Sequence, residues 1–332
     1  MSKIIENPKS YVGRELDSVF FRPMLTGPNA DSLGIRVLYN MPVPTTLQFW
    51  SRSADILKSY AKGWHGEGPS EKFQKTINLH KVKAELGYSA EDYFSMVYEN
   101  IVSADGVNLE DMTGSPLEEA ETALFKESIM EAIRATMWVG DTTRQSTMNT
   151  FDGFLKNIMA DLGAQDNEIK AVELGSQQTS GSAVAAFKAL WENAPEVLKD
   201  SKNQGQLVLL VTSDVYANYE ESLDDSVVEA AYIARQEGRN ALMFRGIPVV
   251  DVQITSYLNQ CPDLPQSFAI LTDRRNLALA VNTTDFPGME VRMWYNPDEI
   301  ENRQRAVFMA GCDYLLPELI VVAVPQSNLA AQ

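Results

Sequence analysis

The apolar positions of this chain change period several times, and each change marks an element. Phe125, Ile129, Ala132, Ile133, Thr136 and Met137 recur at helical spacing. Ser115, Pro116 and Glu118 ahead of them make a capping signal, and Gly140 stops the run. The pattern predicts a helix over 116–139, roughly 36 Å long at ~1.5 Å per residue. That is long for a compact domain and suits a spine. Its stripe of Phe125, Ile129, Met137 and Trp138 reads as core rather than as a cofactor box. Further helices are expected over 89–102, behind the capping pair Ser89 and Asp92, over 182–198, from 212–214 to about 223, and over 226–238.

Other stretches carry strand patterns. The unbroken apolar run 207–211 reads as a strand buried on both faces. Residues 35–39, 46–49, 241–245, 248–254, 268–272, 277–281, 305–310 and 319–324 are also strand-like, with a turn at 273–276. Met289, Val291, Met293 and Tyr295 alternate with Glu290, Arg292 and Trp294, and the turn at 296–299 leads into 305–310. This hairpin is expected to pack beside the spine helix. In the extended stretch 72–86, Phe73, Ile77 and Leu79 share one phase of a two-residue repeat, while Val82, Ala84 and Leu86 share the other. The slip predicts a bulge or twist near His80. Before all this, 11–21 reads as a short amphipathic helix carrying Val12, Leu16, Val19 and Phe20 on one face. It is too small to bury that face alone, so it must pack on the body or on another subunit. Helices on one side and sheet on the other make an α+β pattern.

Charge changes the picture. The chain has 332 residues, enough for one large or two modest domains, and a net charge of -17. That balance excludes a protein gripping nucleic acid over its whole surface, though not one that encloses it. Within 50–84 the sign reverses. Arg52, Lys58, Lys62, Lys72, Lys75, Lys81 and Lys83 outnumber Asp55, Glu67 and Glu71 there, leaving about +4 in a Gly- and Lys-rich excursion between strands. Conversely, 213–238 holds seven acidic residues, among them Asp214, Glu220, Glu221, Asp224 and Asp225, against one Arg. Long strands with open edges and a free arm suit a chain that reaches over its neighbours. Opposite charges on separate parts of one subunit favour heterologous contacts, which close into rings and shells.

Catalytic chemistry finds little support. No phosphate-cradling glycine motif and no G-x-S-x-G elbow occurs, and Gly140-Asp141-Thr142-Thr143 reads as a loop. The two histidines, His65 and His80, both lie in the basic excursion. The acidic cluster matches no EF-hand and reads as a solvated face or a contact surface for a basic neighbour. Cys261 and Cys312 form no disulfide framework or zinc pair and read as free thiols. Residues 1–10 lack the apolar core of a signal peptide, and 319–324 is too short to span a bilayer. A soluble, intracellular product is expected, with no catalytic residue, metal or cofactor.

Several ordered segments resemble a known family. They are Asp152-Gly153-Phe154 after the spine helix, Leu210-Val211-Thr212-Ser213-Asp214, Phe244-Arg245-Gly246-Ile247-Pro248-Val249-Val250, Leu271-Thr272-Asp273-Arg274-Arg275-Asn276-Leu277 and the closing stretch 305–324. The set is similar to the tailed-bacteriophage major capsid proteins with the Hong Kong 97 fold. The resemblance implies an N-terminal arm (1–33), an extended loop or E-loop (34–86), a peripheral P-domain (87–149 with 287–326) and an axial A-domain (150–286). It implies hexamers and pentamers of an icosahedral virion shell, assembled in the host cytoplasm and enclosing double-stranded DNA without reading its sequence. Portal and decoration proteins are the further partners of such a shell. Because the E-loop begins by residue 34, the resemblance implies a separate scaffold or none. An encapsulin-type compartment holding cargo enzymes shares the fold and is the alternative; an unrelated α/β enzyme using the acidic cluster is a third reading. On the shell reading, Lys58, Lys62, Lys72, Lys75, Lys81 and Lys83 of one subunit are expected to meet Glu220, Glu221, Asp224 and Asp225 of another.

Overall fold

The computed structural model describes residues 28, 30–39, 45–51, 71–89, 116–145, 147–164, 168–225, 242–282, 291–296, 298–299 and 301–329, with only the backbone described at 45–51, 71–74, 88–89, 116–124, 224–225 and 291–293. The helices expected over 11–21, 89–102 and 226–238 lie outside these residues.

In chain order the strands are β1 (Arg36–Leu38), β2 (Thr45–Ser51), β3 (Glu71–Ile77), β4 (His80–Ser89), β5 (Lys170–Glu173), β6 (Leu207–Val211), β7 (Met243–Phe244), β8 (Ile247–Asp251), β9 (Ala269–Asp273), β10 (Leu277–Val281), β11 (Val291–Asn296), β12 (Glu301–Tyr314) and β13 (Ile320–Val324). The main helices are α1 (Pro116–Val139), α2 (Phe154–Leu162), α3 (Ser182–Asn193) and α4 (Ser213–Asp225). The predicted spine helix is α1, with the boundaries its caps and period imply. The helix expected over 182–198 breaks earlier. Ala194 is extended (ψ 137°) ahead of Pro195, because the proline ring excludes the helical conformation from the preceding residue.

Two sheets share one trunk. In the first, β12 is the axis. One of its edges carries β11 (Val291 opposite Ala306) and then β10 (Val281 opposite Ala310), while its other edge carries β4 from Ser89 opposite Glu301 to His80 opposite Ala310. β1 adds to β10 in parallel. The second sheet runs β5-β13-β9-β6-β8-β7. Its edge turns tightly at Arg245 and Gly246, both at positive φ (51° and 80°), as a two-residue hairpin of the primed type requires.

The division into sheets cuts across the expected domains. β10, within 150–286, pairs with β12. β13, within 287–326, pairs with β9 and β5.

Alternation along the strands of the second sheet assigns each residue to one of two cores. Val208, Leu210, Ile270, Ile320 and Val322 face a core shared with α1 (Phe125, Ile129, Ile133, Met137, Trp138) and with Phe308, Ala310, Cys312 and Tyr314 of β12. Leu207, Leu209, Val211, Ala269, Leu271, Val321 and Ala323 face the opposite core, against Phe187 and Leu190 of α3 and Val215 and Tyr219 of α4. Both faces are covered, which is why these strands read as continuous apolar runs. Trp138 anchors the first core, edge-on to Phe154 and stacked with Phe268. Ala306 and Phe308 of β12 join the α1 core, which places the β11–β12 hairpin beside the spine helix as its pattern predicts.

Candidate functional site

The feature that distinguishes this trunk from an ordinary α+β domain is the β2–β3 ribbon and the way it is seated. β2 and β3 pair only with each other among the described residues, from Thr45 opposite Ile77 to Ser51 opposite Glu71. At the foot of the ribbon the chain passes Asn78 and Leu79 and enters β4. This is where the two-residue phase slips, as expected near His80.

The seat has an apolar half and a polar half. Ile77 and Leu79 pack with Leu38, Ala278, Ala280 and Leu315 on the face of the first sheet turned away from α1. On the same face Gly311 of β12 lies under the chain: a Cβ there would stand 2.2 Å from the carbonyl oxygen of Asn78. Only glycine lets the two backbones approach so closely. Two residues further along β12 the face turns polar. Lys75 of β3 pairs with Asp313 (Nζ to Oδ2, 3.2 Å) and stands 4.6 Å over the Tyr314 ring. Asn157 of α2 donates to the other carboxylate oxygen at 3.3 Å, and the Tyr314 amide donates to it at 2.9 Å. Burial pushes the Asp313 carboxyl up to about 6; the charge of Lys75 and the hydrogen bonds work against that rise, and nearby Asp161 adds to it.

Beyond the seat, the outer face of the same sheet is a charged field. Lys83 meets Glu85 at 2.7 Å, and Arg305 approaches Glu85 at 3.5 Å. A hydrogen bond from Lys83 is the first cause holding the Glu85 carboxyl below its usual range. Arg303 reaches Glu301 at 3.3 Å. Exposed Val307 and Trp294 sit among these charges.

Two polar clusters join the spine helix to its surroundings. At its middle, Arg134 is buried (4% exposed) and grips Glu131 with both Nε (2.8 Å) and Nη2 (2.6 Å), while Nη1 donates to the carbonyls of Val252 and Gln253. The Tyr257 hydroxyl donates to the same Glu131 at 2.5 Å; burial first, then this bond, pushes Tyr257 up to about 12. At its end, Lys156 of α2 bridges Asp141 (2.5 Å) and Asp152 (2.7 Å). Thr143 donates to Asp141, and Thr142 to Asp152, each through both backbone and side chain. Burial raises the Asp141 carboxyl, but Lys156 and Thr143 outweigh it and bring it down to about 2. The Asp152-Gly153-Phe154 segment belongs to this joint, with the Gly153 amide donating to the Gly140 carbonyl at 2.9 Å.

The expected contact residues divide as follows. Lys75 and Lys83 have partners within their own chain, Asp313 and Glu85. Lys81 is exposed on β4, opposite Met309. Glu220 and Glu221 lie on α4 with Glu221 exposed, while Asp214, at the other end of that helix, accepts from Ser267. Lys72 lies on the backbone of β3, opposite Trp50, and Asp224 and Asp225 end α4. Lys58 and Lys62, like His65, fall outside the described residues. Cys261 and Cys312 are both buried and free. Sequence reading missed Gly311, Asp313 and Arg134. A glycine inside an alternating strand was the available signal for the first; nothing local marks the other two.

Among the described residues no group of three or more His, Cys, Asp or Glu side chains could hold a metal ion, and no helix is long and apolar enough to cross a membrane.

Neither a protein-family model nor a curated protein matches the sequence. Solved structures match over nearly its whole length. The capsid of a native GTA particle is similar at 15% identity with a TM-score of 0.55, and 92% of each chain is covered. The capsid of Myoviridae phage XM1 is similar at 13% identity, also with a TM-score of 0.55, over 96% of this chain and 99% of that one. A structure from Gordonia phage Cozz matches at 13% identity and a TM-score of 0.52, over 92% and 89%. The architecture built above, two sheets on a spine helix with a ribbon projecting from the trunk, is the Hong Kong 97-type capsid fold.

Proposed function

We propose that this chain is a major capsid protein, a structural subunit that assembles with copies of itself into hexamers and pentamers of an icosahedral shell around double-stranded DNA. The observation that carries the reading is the extent of the likeness. It covers 92% of this chain in one capsid and 96% in another. A shared α/β sheet alone would leave much of the chain unmatched. On this reading 1–33 is the N-terminal arm, 34–86 the E-loop, 87–149 with 287–326 the P-domain and 150–286 the A-domain. The chain acts as a virion component rather than as an enzyme, with portal, scaffold or decoration proteins as further partners.

The charge distribution supplies a mechanism for assembly. An excursion of about +4 in a chain of -17 is drawn to acidic surface on a neighbour, and the contact is heterologous, so it closes into rings. Lys58, Lys62 and Lys72 are the cations we assign to that contact, with Lys81 and Lys83 at its base, against Glu220, Glu221, Asp224 and Asp225. Lys75 contributes to the contact by seating the ribbon on its own trunk.

The test is electron microscopy of the expressed full chain with measurement of particle size and nucleic-acid content. Uniform icosahedral particles, packaging DNA when produced with the other virion proteins, are expected. A monomer at high concentration would overturn the proposal, and DNA-free particles enclosing an enzyme would replace it with a cargo compartment.

A further inference from the structure

We propose that seating of the β2–β3 ribbon on the trunk is coupled to a proton on Asp313, so that the ribbon grips more tightly in mild acid than at neutral pH. The coupling stands on the geometry of the seat within one chain and goes beyond the capsid reading.

Asp313 points to the face of β12 that the ribbon covers. Its register partner on that face is Ala278, which belongs to the apolar cluster of Ile77, Leu79 and Leu315. The groups facing its carboxyl come from three elements. β3 brings Lys75, α2 brings Asn157 and Asp161, and β12 itself brings the Tyr314 amide. The nearby Cys312 thiol is buried, and burial pushes it well above its usual range, so it stays protonated. Lys156, on the same helix as Asn157, is committed to Asp141 and Asp152. Among the described residues Lys75 is therefore the cation that pairs with Asp313, and a single cation offsets the burial only in part.

The sign follows from linkage. With the ribbon seated, burial pushes the carboxyl up to about 6; lifting the ribbon removes Lys75 but admits water, and because burial is the larger of the two effects the carboxyl falls back toward the ordinary carboxylate value of 3.8. The seated state then binds more protons between pH 4 and 6, and seating strengthens as pH falls through that window. Between pH 7.5 and pH 5 the ratio of seated to lifted ribbon rises by up to about tenfold. At neutral pH the ribbon rests on an ionised carboxylate that the site disfavours, which leaves it the more easily released. The two substitutions at the pair act differently. Asp313→Asn mimics the protonated acid, so seating becomes tight and independent of pH. Lys75→Gln removes the offsetting charge, so seating weakens at pH 7.5, is nearly unchanged at pH 5, and depends on pH more steeply.

The experiment is amide hydrogen exchange of residues 72–79 in the full chain at pH 5 and 7.5. Rates are corrected for intrinsic exchange, the assembly state is held constant and checked by light scattering, and β13 serves as an internal control. Greater protection at pH 5 in the parent chain, a flat response in Asp313→Asn and a steeper one in Lys75→Gln are expected. Protection that is equal at both pH values, or lower at pH 5, overturns the proposal, as does an Asp313→Asn chain that keeps the parent's pH dependence. If Asp313→Asn fails to fold, Lys75→Gln decides alone: a response no steeper than the parent's overturns it.

Discussion

Gly311 and Asn78 touch backbone to backbone: a methyl group on Gly311 would come within 2.2 Å of the Asn78 carbonyl oxygen. The oxygen belongs to the main chain at the foot of the ribbon, so it cannot rotate away. Gly311→Ala is therefore expected to lift the ribbon from β12 or to shift β12 itself, at a cost of about 1–3 kcal/mol. Differential scanning calorimetry should show a lower melting temperature. Exchange should show the loss concentrated at 76–80 rather than in β6 or β9. A variant that melts with the parent and keeps its ribbon protected would contradict the close approach.

Arg134 ties the spine helix to the segment after β8 through two carbonyls that belong to no strand pairing. Arg134→Met leaves those carbonyls unpaired and Glu131 with only Tyr257, a loss on the order of 3 kcal/mol for a pair this deeply buried. Tyr257→Phe removes one bond and leaves the pair, and should cost about 1 kcal/mol. Chemical denaturation of both variants checks the order. Equal costs would mean that the arginine is not the member holding the joint.

At the far end of the helix, Lys156 carries the charge balance of Asp141 and Asp152. Lys156→Met should destabilise the chain by about 1–2 kcal/mol near neutral pH. The sign of the pH dependence is set by Asp141, whose folded carboxyl lies at about 2, below its ordinary 3.8. Its contribution is present above about pH 4 and is lost as pH falls through 2. The gap between parent and variant should therefore narrow as the pH is taken from 7 toward 2. Melting temperatures across that range test it, and a constant gap would show that Lys156 acts by packing alone.

How much of this was legible depended on whether the determinant is local. α1 and β6 appear in the sequence with the bounds they have in the structure, since caps, period and an unbroken apolar run act within a few residues. β12 does not. Its apolar pattern supports only 305–310, yet the strand runs from Glu301 to Tyr314. Its start is extended by buried Asn302 and Gln304, and its end by Gly311 and Asp313, residues that disfavour strands unless a neighbour covers them. Sheet membership was hidden for a related reason. β10 and β13 are buried on both faces, and a strand apolar on both faces carries no mark of which neighbour it pairs with. The pairing of Lys75 with Asp313 joins opposite ends of the sequence through that same concealed topology. Lys75 therefore reads from sequence as one more cation of the excursion.

That distinction separates two classes of charge reversal. Lys58 and Lys62 are assigned to a neighbour's surface, so reversing both to Glu should abolish assembly while leaving the melting temperature of the subunit within about one degree, as surface changes of this kind do. Lys75→Glu places a second carboxylate against buried Asp313. It should act inside the chain first, lowering stability by about 1–3 kcal/mol at pH 7.5 and raising the Asp313 carboxyl further, so that stability recovers in acid. Light scattering and calorimetry on the two variants separate the effects. The Lys58/Lys62 variant should give a folded chain that stays small. Lys75→Glu should give a destabilised chain whose assembly defect is relieved as the pH is lowered toward 5, where the buried carboxylate takes up its proton. Normal particles from the Lys58/Lys62 variant would remove the excursion from the assembly contact. Lys75→Glu chains as stable as the parent at pH 7.5 would remove Asp313 from the seat.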